Sequence, residues 1–388
     1  VLVTPSTNWS FPTALRIGAG CVSELAAACE KHGIERPLIV TDPGMVQLPV
    51  LDALQSSFAM SVPVFSEIQP NPVGANIDAG VEAFRAGNHD GVIAFGGGSA
   101  LDCGKVIAFQ SGQTLPMWDF EDIGSNWTRA NADAIAPVIA VPTTAGTGSE
   151  VGRAGVVINE TAKRKVILFH PKMLPVAVLC DPELTVGLPR MLTVGTGIDA
   201  LSHSLEALCA PAYHPMAHGI GLEGCRLVLE HLPRVVDDPS DLASRAHMMS
   251  AAAMGAVAFQ KGLGGMHALA HPIGAVFDTH HGMTNAVLMP YVLEANRSAI
   301  EPTINRLAAY VEIAGGFDGF FERIISLRDS LGVPHRLVDL GVDESQVATI
   351  ADAAAADPSA GGNPIPFTAA LAAEVFTRAC EGHLEGTR

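Results

Sequence analysis

Basic residues are scarce in this chain of 388 residues: 23 Lys and Arg stand against 40 Asp and Glu, for a net charge of −17. A surface that negative repels phosphate backbones and anionic lipid headgroups, so nucleic acid and membrane surfaces are not expected partners. A locally basic pocket for an anionic cofactor stays open. Cysteine pairs are missing as well. The seven cysteines (21, 29, 103, 180, 209, 225 and 380) are odd in number and scattered, with no C-x-x-C. Neither a disulfide framework nor a Cys-type zinc finger is expected, and a reducing compartment fits better. No stretch reaches about 18 apolar residues without polar interruption, which argues against a spanning helix. The opening VLVTPSTNWSFPTALRIG has no basic n-region and no long apolar run, so no signal peptide is expected and the reading is cytoplasmic. Charge of either sign is sparse at 16% while apolar residues reach 48%, which supports a large core and excludes wholesale disorder. The length exceeds the roughly 250–300 residues at which single cores stop growing, so two domains are expected. No internal repeat or low-complexity linker is present.

The first half alternates short apolar runs with amphipathic stretches. PLIVTD (37–42), GVIAFGGGS (91–99), APVIAVPTT (136–144) and PVAVLCDP (175–182) read as strands. Continuous rather than alternating apolarity suits strands buried on both faces of a parallel sheet. Helical segments at 22–33, 76–87 and 101–110 lie between them, giving βα repeats. After Leu184 the character changes to Ala/Leu/Met-rich segments of helical period at 197–210, 216–231, 241–259, 264–277, 301–314, 318–331, 344–355 and 366–380. Pro211, Pro215, Pro233, Pro239, Pro290, Pro334 and Pro358 punctuate them. With a junction at DPELTVGLPR (181–190), the expectation is an α/β domain over 1–187, an all-helical domain over 188–388, and a cleft between them.

Two glycine loops follow strands. Gly96-Gly97-Gly98-Ser99 opens directly into a helix carrying Asp102 and Lys105. Glycines let the backbone approach a ligand closely, and the helix start offers free N–H groups to a phosphate. The second loop, Pro142-Thr143-Thr144-Ala145-Gly146-Thr147-Gly148-Ser149-Glu150, is dense in hydroxyls suited to phosphate or ribose. Loops at the ends of two strands define one crevice, where open parallel sheets bind ligands. Gly18-Ala19-Gly20-Cys21-Val22-Ser23 matches a dinucleotide fingerprint only in part, since serine replaces the third glycine. Asp42, at a strand end, is placed to accept bonds from an adenosine ribose; its charge would repel a 2′-phosphate and favours NAD over NADP.

The fourteen histidines cluster. Asp199 and His203 are four apart on one helix, and so are His267 and His271, while His280 and His281 follow in a loop. A carboxylate and three imidazoles from two helices and a loop could close around one divalent cation, and Zn²⁺ or Fe²⁺ would accept such donors. His214, His218, His231, His247 and His335 are read as ordinary polar residues.

Taken together these residues resemble the iron-containing (group III) alcohol dehydrogenase family. The G-G-G-S-x-x-D-x-x-K pattern is Gly96–Lys105, the P-T-T-x-G-T-G-S-E loop is Pro142–Glu150, and D-P-x-L-T is Asp181–Thr185. The G-x-D-A-x-x-H-x-x-E helix is Gly197–Glu206, G-x-x-H-x-x-x-H-x-x-G is Gly264–Gly274, and H-G-x-x-N is His281–Asn285. The likeness runs in order through most of residues 12–290. It implies a Rossmann-like α/β dinucleotide-binding domain followed by an all-α metal-binding and catalytic domain, a dehydroquinate synthase-like architecture.

The resemblance implies one Fe²⁺, alternatively Zn²⁺, on Asp199, His203, His267 and His281, with His271 beside the nicotinamide and substrate. His280 stands where relatives commonly have proline and is read as a neighbour. The pyrophosphate would rest on Gly97, Gly98 and Ser99, with Thr143, Thr144 and Thr147 touching the cofactor; Asp42, Asn71, Lys165 and Leu184 match further contact positions. Asp102 belongs to the same cofactor motif, and the Gly18 segment becomes a structural turn. The implied reaction is hydride transfer between NAD(P) and a small alcohol or aldehyde, with His271 able to relay the proton. Many relatives have threonine after S-E-V, where this chain runs Glu150-Val151-Gly152-Arg153-Ala154. Arg153 lies in a stretch that tends to border the substrate side, and it is read either as recognising an acidic group on the substrate or as an external salt-bridge arginine. Phe259 matches a position packed near the substrate. A glycerol dehydrogenase-like enzyme, a dehydroquinate synthase-like lyase and a non-catalytic nucleotide- or metal-binding protein are the alternatives. Family members are commonly homodimers or larger.

Overall fold

In the computed structural model, which describes residues 9–10, 13–162 and 164–384, the first half folds as β1 (Ala14–Ile17), α1 (Leu25–Lys31), β2 (Pro37–Val40), α2 (Pro49–Gln55), β3 (Val64–Phe65), α3 (Gly74–Ala86), β4 (Gly91–Gly96), α4 (Gly98–Gln110), β5 (Val138–Pro142), β6 (Ala154–Asn159), β7 (Arg164–Phe169) and β8 (Ala177–Cys180). Every residue of β2, β4, β5 and β8 is buried, as their unbroken apolar runs require. These strands join β1 and β3 in one parallel sheet of order β1-β8-β5-β4-β2-β3. The register that matters is Gly96 opposite Pro142. It makes the two glycine loops leave neighbouring strands side by side at the carboxyl edge.

The hairpin β6–β7 has no counterpart among the strands read from the sequence. It is antiparallel, from Ala154 opposite Phe169 to Asn159 opposite Arg164, and it forms a separate two-stranded sheet. Its mixed exposure breaks the continuous-apolar rule by which the other strands were recognised. It lies on α4, where a Cβ on Gly155 would come 2.5 Å from Val106 Cγ2 and 2.9 Å from the Asp102 carbonyl oxygen.

The second unit consists of α5 (Arg190–Cys209), α6 (Pro215–Asp237), α7 (Leu242–Ala258), α8 (Gly265–Phe277), α9 (His281–Tyr310), α10 (Gly316–Leu331), α11 (Val347–Ala356) and α12 (Ala369–Glu381). The described residues divide between a unit within Phe11–Leu188 and one within Pro189–Arg388 that also takes in Trp9 and Ser10. Two proline stops expected from the sequence are corrected here. Pro233 lies inside α6 and Pro290 inside α9, as do Pro272 in α8 and Pro302 in α9. Each removes one helical hydrogen bond and crowds the carbonyl four residues back, at about 3 kcal/mol. For α9 that loss is offset by packing against α5, α8, α10 and α12, which keeps Pro290 buried. Among the described residues, no helix is long and apolar enough to cross a membrane.

Candidate active site

Helix α5 presents Asp199, His203 and Glu206 at spacings of four and three, hence on one face, and all three are buried. His267 comes from the first turn of α8, with His271 one turn on. His281 is the first residue of α9. Two glycines let the start of α9 press against α5. A Cβ on Gly282 would lie 2.2 Å from the Gly195 carbonyl oxygen and 2.9 Å from Asp199 Cβ, and one on Gly195 would strike the His280 ring at 2.7 Å. With both bare, His281 reaches Asp199.

Asp199 Oδ1 is 4.0 Å from His203 Nε2, 4.0 Å from His267 Nε2 and 3.6 Å from His281 Nε2. The donor atoms of Asp199, His203 and His267 all lie within 4.8 Å of one another. Ligands at 2.0–2.1 Å on a tetrahedral ion are separated by about 3.3–3.4 Å, so this shell needs only a slight contraction to hold one. A buried carboxylate facing imidazoles instead of a lysine or arginine is costly unless a cation joins them. The residues fit a divalent metal. Burial pushes the Asp199 carboxyl up, but His203, His281, His267 and the Asn285 amide outweigh it and bring it down to about 2. The Asn285 side-chain amide nitrogen is 3.0 Å from Asp199 Oδ1, 3.3 Å from His267 Nε2 and 3.2 Å from His281 Nε2, while its buried carbonyl oxygen has no hydrogen-bond partner among the described residues.

His280 has a different task. Its Nδ1 accepts the Met283 N–H at 3.2 Å and caps α9, so it is the neighbour and His281 the candidate donor. His271 Nδ1 lies 2.9 Å from Asp357 Oδ2. A carboxylate only accepts, so Nδ1 carries a proton and Nε2 is the ring nitrogen turned away from Asp357. The His271 ring stacks on His281 at 5.5 Å and meets His267 edge-on at 5.9 Å. Burial raises the Asp357 carboxyl, but the hydrogen bond and charge of His271 and the hydrogen bonds from Ser359 together bring it below its ordinary value. Phe259 sets its ring edge against His203 at 5.2 Å. Asp357 escaped the sequence reading because 86 residues separate it from His271 and no spacing rule joins them.

In the α/β unit the glycine loops pack on each other. A Cβ on Gly98 would meet Thr147 Cγ2 at 2.7 Å, and one on Gly97 would touch Thr144 Cγ2 at 3.4 Å. Gly96 has φ +140°, which favours glycine. The Ser99 hydroxyl donates to the Pro70 carbonyl, tying the segment that bears Asn71 to the start of α4. Asp42 Oδ1 accepts the N–H groups of Gly44 and Met45 at 2.9 and 3.1 Å. Lys165 is half-buried on β7 opposite Ile158, and Leu184 is buried in a cluster with Met45 and Val141.

Two residues expected at the cofactor also bind neighbouring parts of their own unit. Asp102 accepts from the Ser149 hydroxyl and Lys105 on one oxygen and from the Val156 N–H on the other, so it ties α4 to the second loop and to β6. Buried Thr143 directs its hydroxyl at Met45 Sδ, 3.9 Å away, and its N–H donates to the Gly96 carbonyl. The Gly18 turn carries no anion seat, because Asp181 already accepts from Gly20 N–H and Val22 N–H at 3.1 and 3.0 Å. Arg153 lies 5.4 Å above the Phe169 ring, with Asp122 as its charged neighbour.

The comparisons with known proteins agree over most of the chain. Residues 12–182 match the family model described as iron-containing alcohol dehydrogenase, and residues 193–380 match the C-terminal part of the Fe-containing alcohol dehydrogenase family. A 4-hydroxybutyrate dehydrogenase of Cupriavidus necator is 38% identical over 93% of this chain and 96% of its own length. A crystal structure of 1,3-propanediol oxidoreductase superposes with TM-score 0.90 at 31% identity, covering 96% of this chain and 99% of that one. Sulfoacetaldehyde reductase from Bifidobacterium kashiwanohense, solved with NAD⁺, gives TM-score 0.88 at 26% identity, with 96% and 99% covered. The chain therefore belongs to the iron-containing alcohol dehydrogenase family and is an NAD-linked oxidoreductase of alcohols.

Proposed function

We propose that this enzyme interconverts a short alcohol bearing an acidic group, of the 4-hydroxybutyrate type, with its aldehyde, using Fe²⁺ (alternatively Zn²⁺) and NAD. The observation that carries the metal-dependent reaction is the convergence of Asp199, His203 and His267 donors within 4.8 Å, with His281 Nε2 3.6 Å from Asp199 Oδ1. The likeness to a 4-hydroxybutyrate dehydrogenase supports the acidic substrate. When bound, the ion supplies Lewis acidity that lowers the pKa of a substrate hydroxyl, and NAD⁺ accepts the hydride.

The chain's own residues do the rest. Asp199, His203, His267 and His281 hold the ion, and Phe259 fills the space beside His203. Gly97, Gly98, Ser99, Thr144 and Thr147 line the phosphate seat, with Asp42 on the ribose side and Asn71, Lys165 and Leu184 around the cofactor. Asp102 and Thr143 support those loops from beneath. His271, its Nδ1 proton engaged by Asp357, takes or returns the substrate proton at Nε2. The seven free cysteines support a reducing, cytoplasmic setting, and a homodimer or larger assembly belongs to the same proposal.

Initial rates on 4-hydroxybutyrate and on 1-butanol, with NAD⁺ and NADP⁺, test the substrate and coenzyme on metal-analysed protein. Higher kcat/KM for the hydroxy acid with NAD⁺ is expected, and preference for the neutral alcohol would overturn the acidic-substrate reading. Arg153→Ala should lower the rate on the acid alone if this residue meets the carboxylate. Equal losses on both substrates would leave Arg153 its packing role over Phe169.

A further inference from the structure

Glu206 has no part in the functional reading above, yet it touches a candidate ligand directly. It is 4% exposed and sits on α5 three residues beyond His203. One of its oxygens, Oε2, is 2.6 Å from His267 Nδ1. The other, Oε1, accepts the Met266 N–H at 2.7 Å. That N–H is one of the groups in the first turn of α8 for which the helix itself has no acceptor. The neighbouring Gly265 N–H is taken by Asn363 Oδ1 at 3.0 Å, and Asn363 is locked to Asn296 by two reciprocal amide bonds of 2.8 and 2.9 Å. Gly264 makes room for both acceptors: a Cβ there would lie 3.1 Å from Glu206 Oε1 and 3.1 Å from Asn363 Oδ1.

The same carboxylate thus fixes where α8 begins and how the His267 ring is turned. We propose that Glu206 is the positioning residue of the metal centre, holding His267 in the Nδ1–H form so that Nε2 is the donor to the ion. A carboxylate accepts but does not donate, so the proton between Glu206 and His267 belongs to the ring and the lone pair is forced onto Nε2. Carboxylate partners of this kind orient metal-bound imidazoles and raise their donor strength, and losing one typically costs 10–100-fold in metal affinity. Asn363 caps the same helix end without touching the ring, which provides an internal comparison. The proposal rests on the reading of His267 as a metal ligand.

The test titrates metal-free wild type, Glu206→Gln and Asn363→Ala with Zn²⁺ against a chromophoric chelator. Visible spectra of the Co²⁺-loaded proteins are recorded in parallel. A glutamine has one accepting oxygen, so it cannot serve both Met266 and His267. Glu206→Gln is expected to bind Zn²⁺ about 10–100-fold more weakly and to shift the Co²⁺ bands. Asn363→Ala should lower the thermal midpoint of the metal-free protein while leaving Zn²⁺ affinity and the Co²⁺ bands unchanged. Wild-type affinity in Glu206→Gln, or equal weakening in both variants, overturns the proposal. Should Glu206→Gln not fold, ¹⁵N-histidine NMR of the Zn²⁺-loaded wild type decides it, with His267 assigned by its loss in His267→Gln. An exchange-protected Nδ1–H is expected, and a proton on Nε2 overturns it. Failure of wild type itself to bind Zn²⁺ would instead remove the metal reading on which the proposal stands.

Discussion

Single side chains at this site divide by the atom they offer. His267 and His271 are one helical turn apart, but the first has Glu206 behind it and Nε2 facing Asp199, whereas the second has Asp357 behind it. His267→Ala should abolish both metal retention, measured by plasma mass spectrometry, and turnover. His271→Ala should keep its metal and lose about 10²–10⁴-fold in kcat, the usual worth of a positioned proton carrier. Retained metal with full activity in the His267 variant would refute its assignment as a ligand. A second residue-scale effect lies in the α/β unit. Burial pushes the Glu150 carboxyl up from 4.5 to about 7, against the downward pull of its backbone hydrogen bond and Lys105. Between those pH values the folded chain keeps a proton that the unfolded chain has released. The contribution of Glu150 to stability is therefore full below about pH 4.5, declines toward pH 7 and levels above it, by about 3 kcal/mol in total. Glu150→Gln should flatten that slope, so denaturant midpoints at pH 5 and pH 8 would converge in the variant. An unchanged slope would mean another group carries it.

At the scale of elements, the close approach of the two glycine loops is set by β4–β5 register and enforced by missing side chains. Gly98→Ala would place a Cβ 2.7 Å from Thr147 Cγ2, so the Thr147 side chain or the loop that carries it must shift. NAD⁺ affinity by calorimetry should fall at least tenfold, which is about 1.4 kcal/mol, while Zn²⁺ affinity stays as in wild type. Unchanged NAD⁺ binding would show that the seat tolerates a wider gap. The same elements show what was legible in the sequence. The strands around Ile39, Ile93, Ile139 and Val178 announced themselves because burial on both faces demands unbroken apolar runs. The β6–β7 hairpin and the prolines within α6 and α9 did not, because each depends on what packs against it: α4 under the hairpin, and four other helices around α9. Local preference at Pro290 predicts a break, and tertiary burial overrides it.

Across the whole molecule, the proposed ligand sites fall in different units: the candidate metal donors belong to the helical unit, and the glycine loops proposed to seat the phosphates belong to the α/β unit. Hydrogen exchange read by mass spectrometry should show this division. Removing the metal with a chelator should speed exchange in α5, the start of α8 and the first turn of α9. Adding NAD⁺ should slow it in the loops after β4 and β5. Metal held at a hundredfold its dissociation constant adds about 2.7 kcal/mol to folding, enough to register as a lower thermal midpoint after chelation. Metal-dependent protection confined to the α/β unit would contradict the proposed centre.

Residue spacing alone was enough to pair Asp199 with His203 and His267 with His271, because four-residue steps on a helix set side chains on one face whatever surrounds them. Spacing was enough, too, to mark the two glycine loops as partners, since each ends an apolar strand. It did not decide between His280 and His281, which are adjacent in the chain. The family likeness pointed to His281, and the folded chain supplies the physical reason, by giving His280 a helix to cap and bringing His281 to Asp199 through the bare surfaces of Gly195 and Gly282. Nor did it reveal that Asp102 holds Ser149 and Thr143 meets Met45, or that Glu206 and Asp357 stand behind the two α8 histidines. Such partners are chosen by three-dimensional proximity across dozens of residues, and periodicity along one segment carries no information about them.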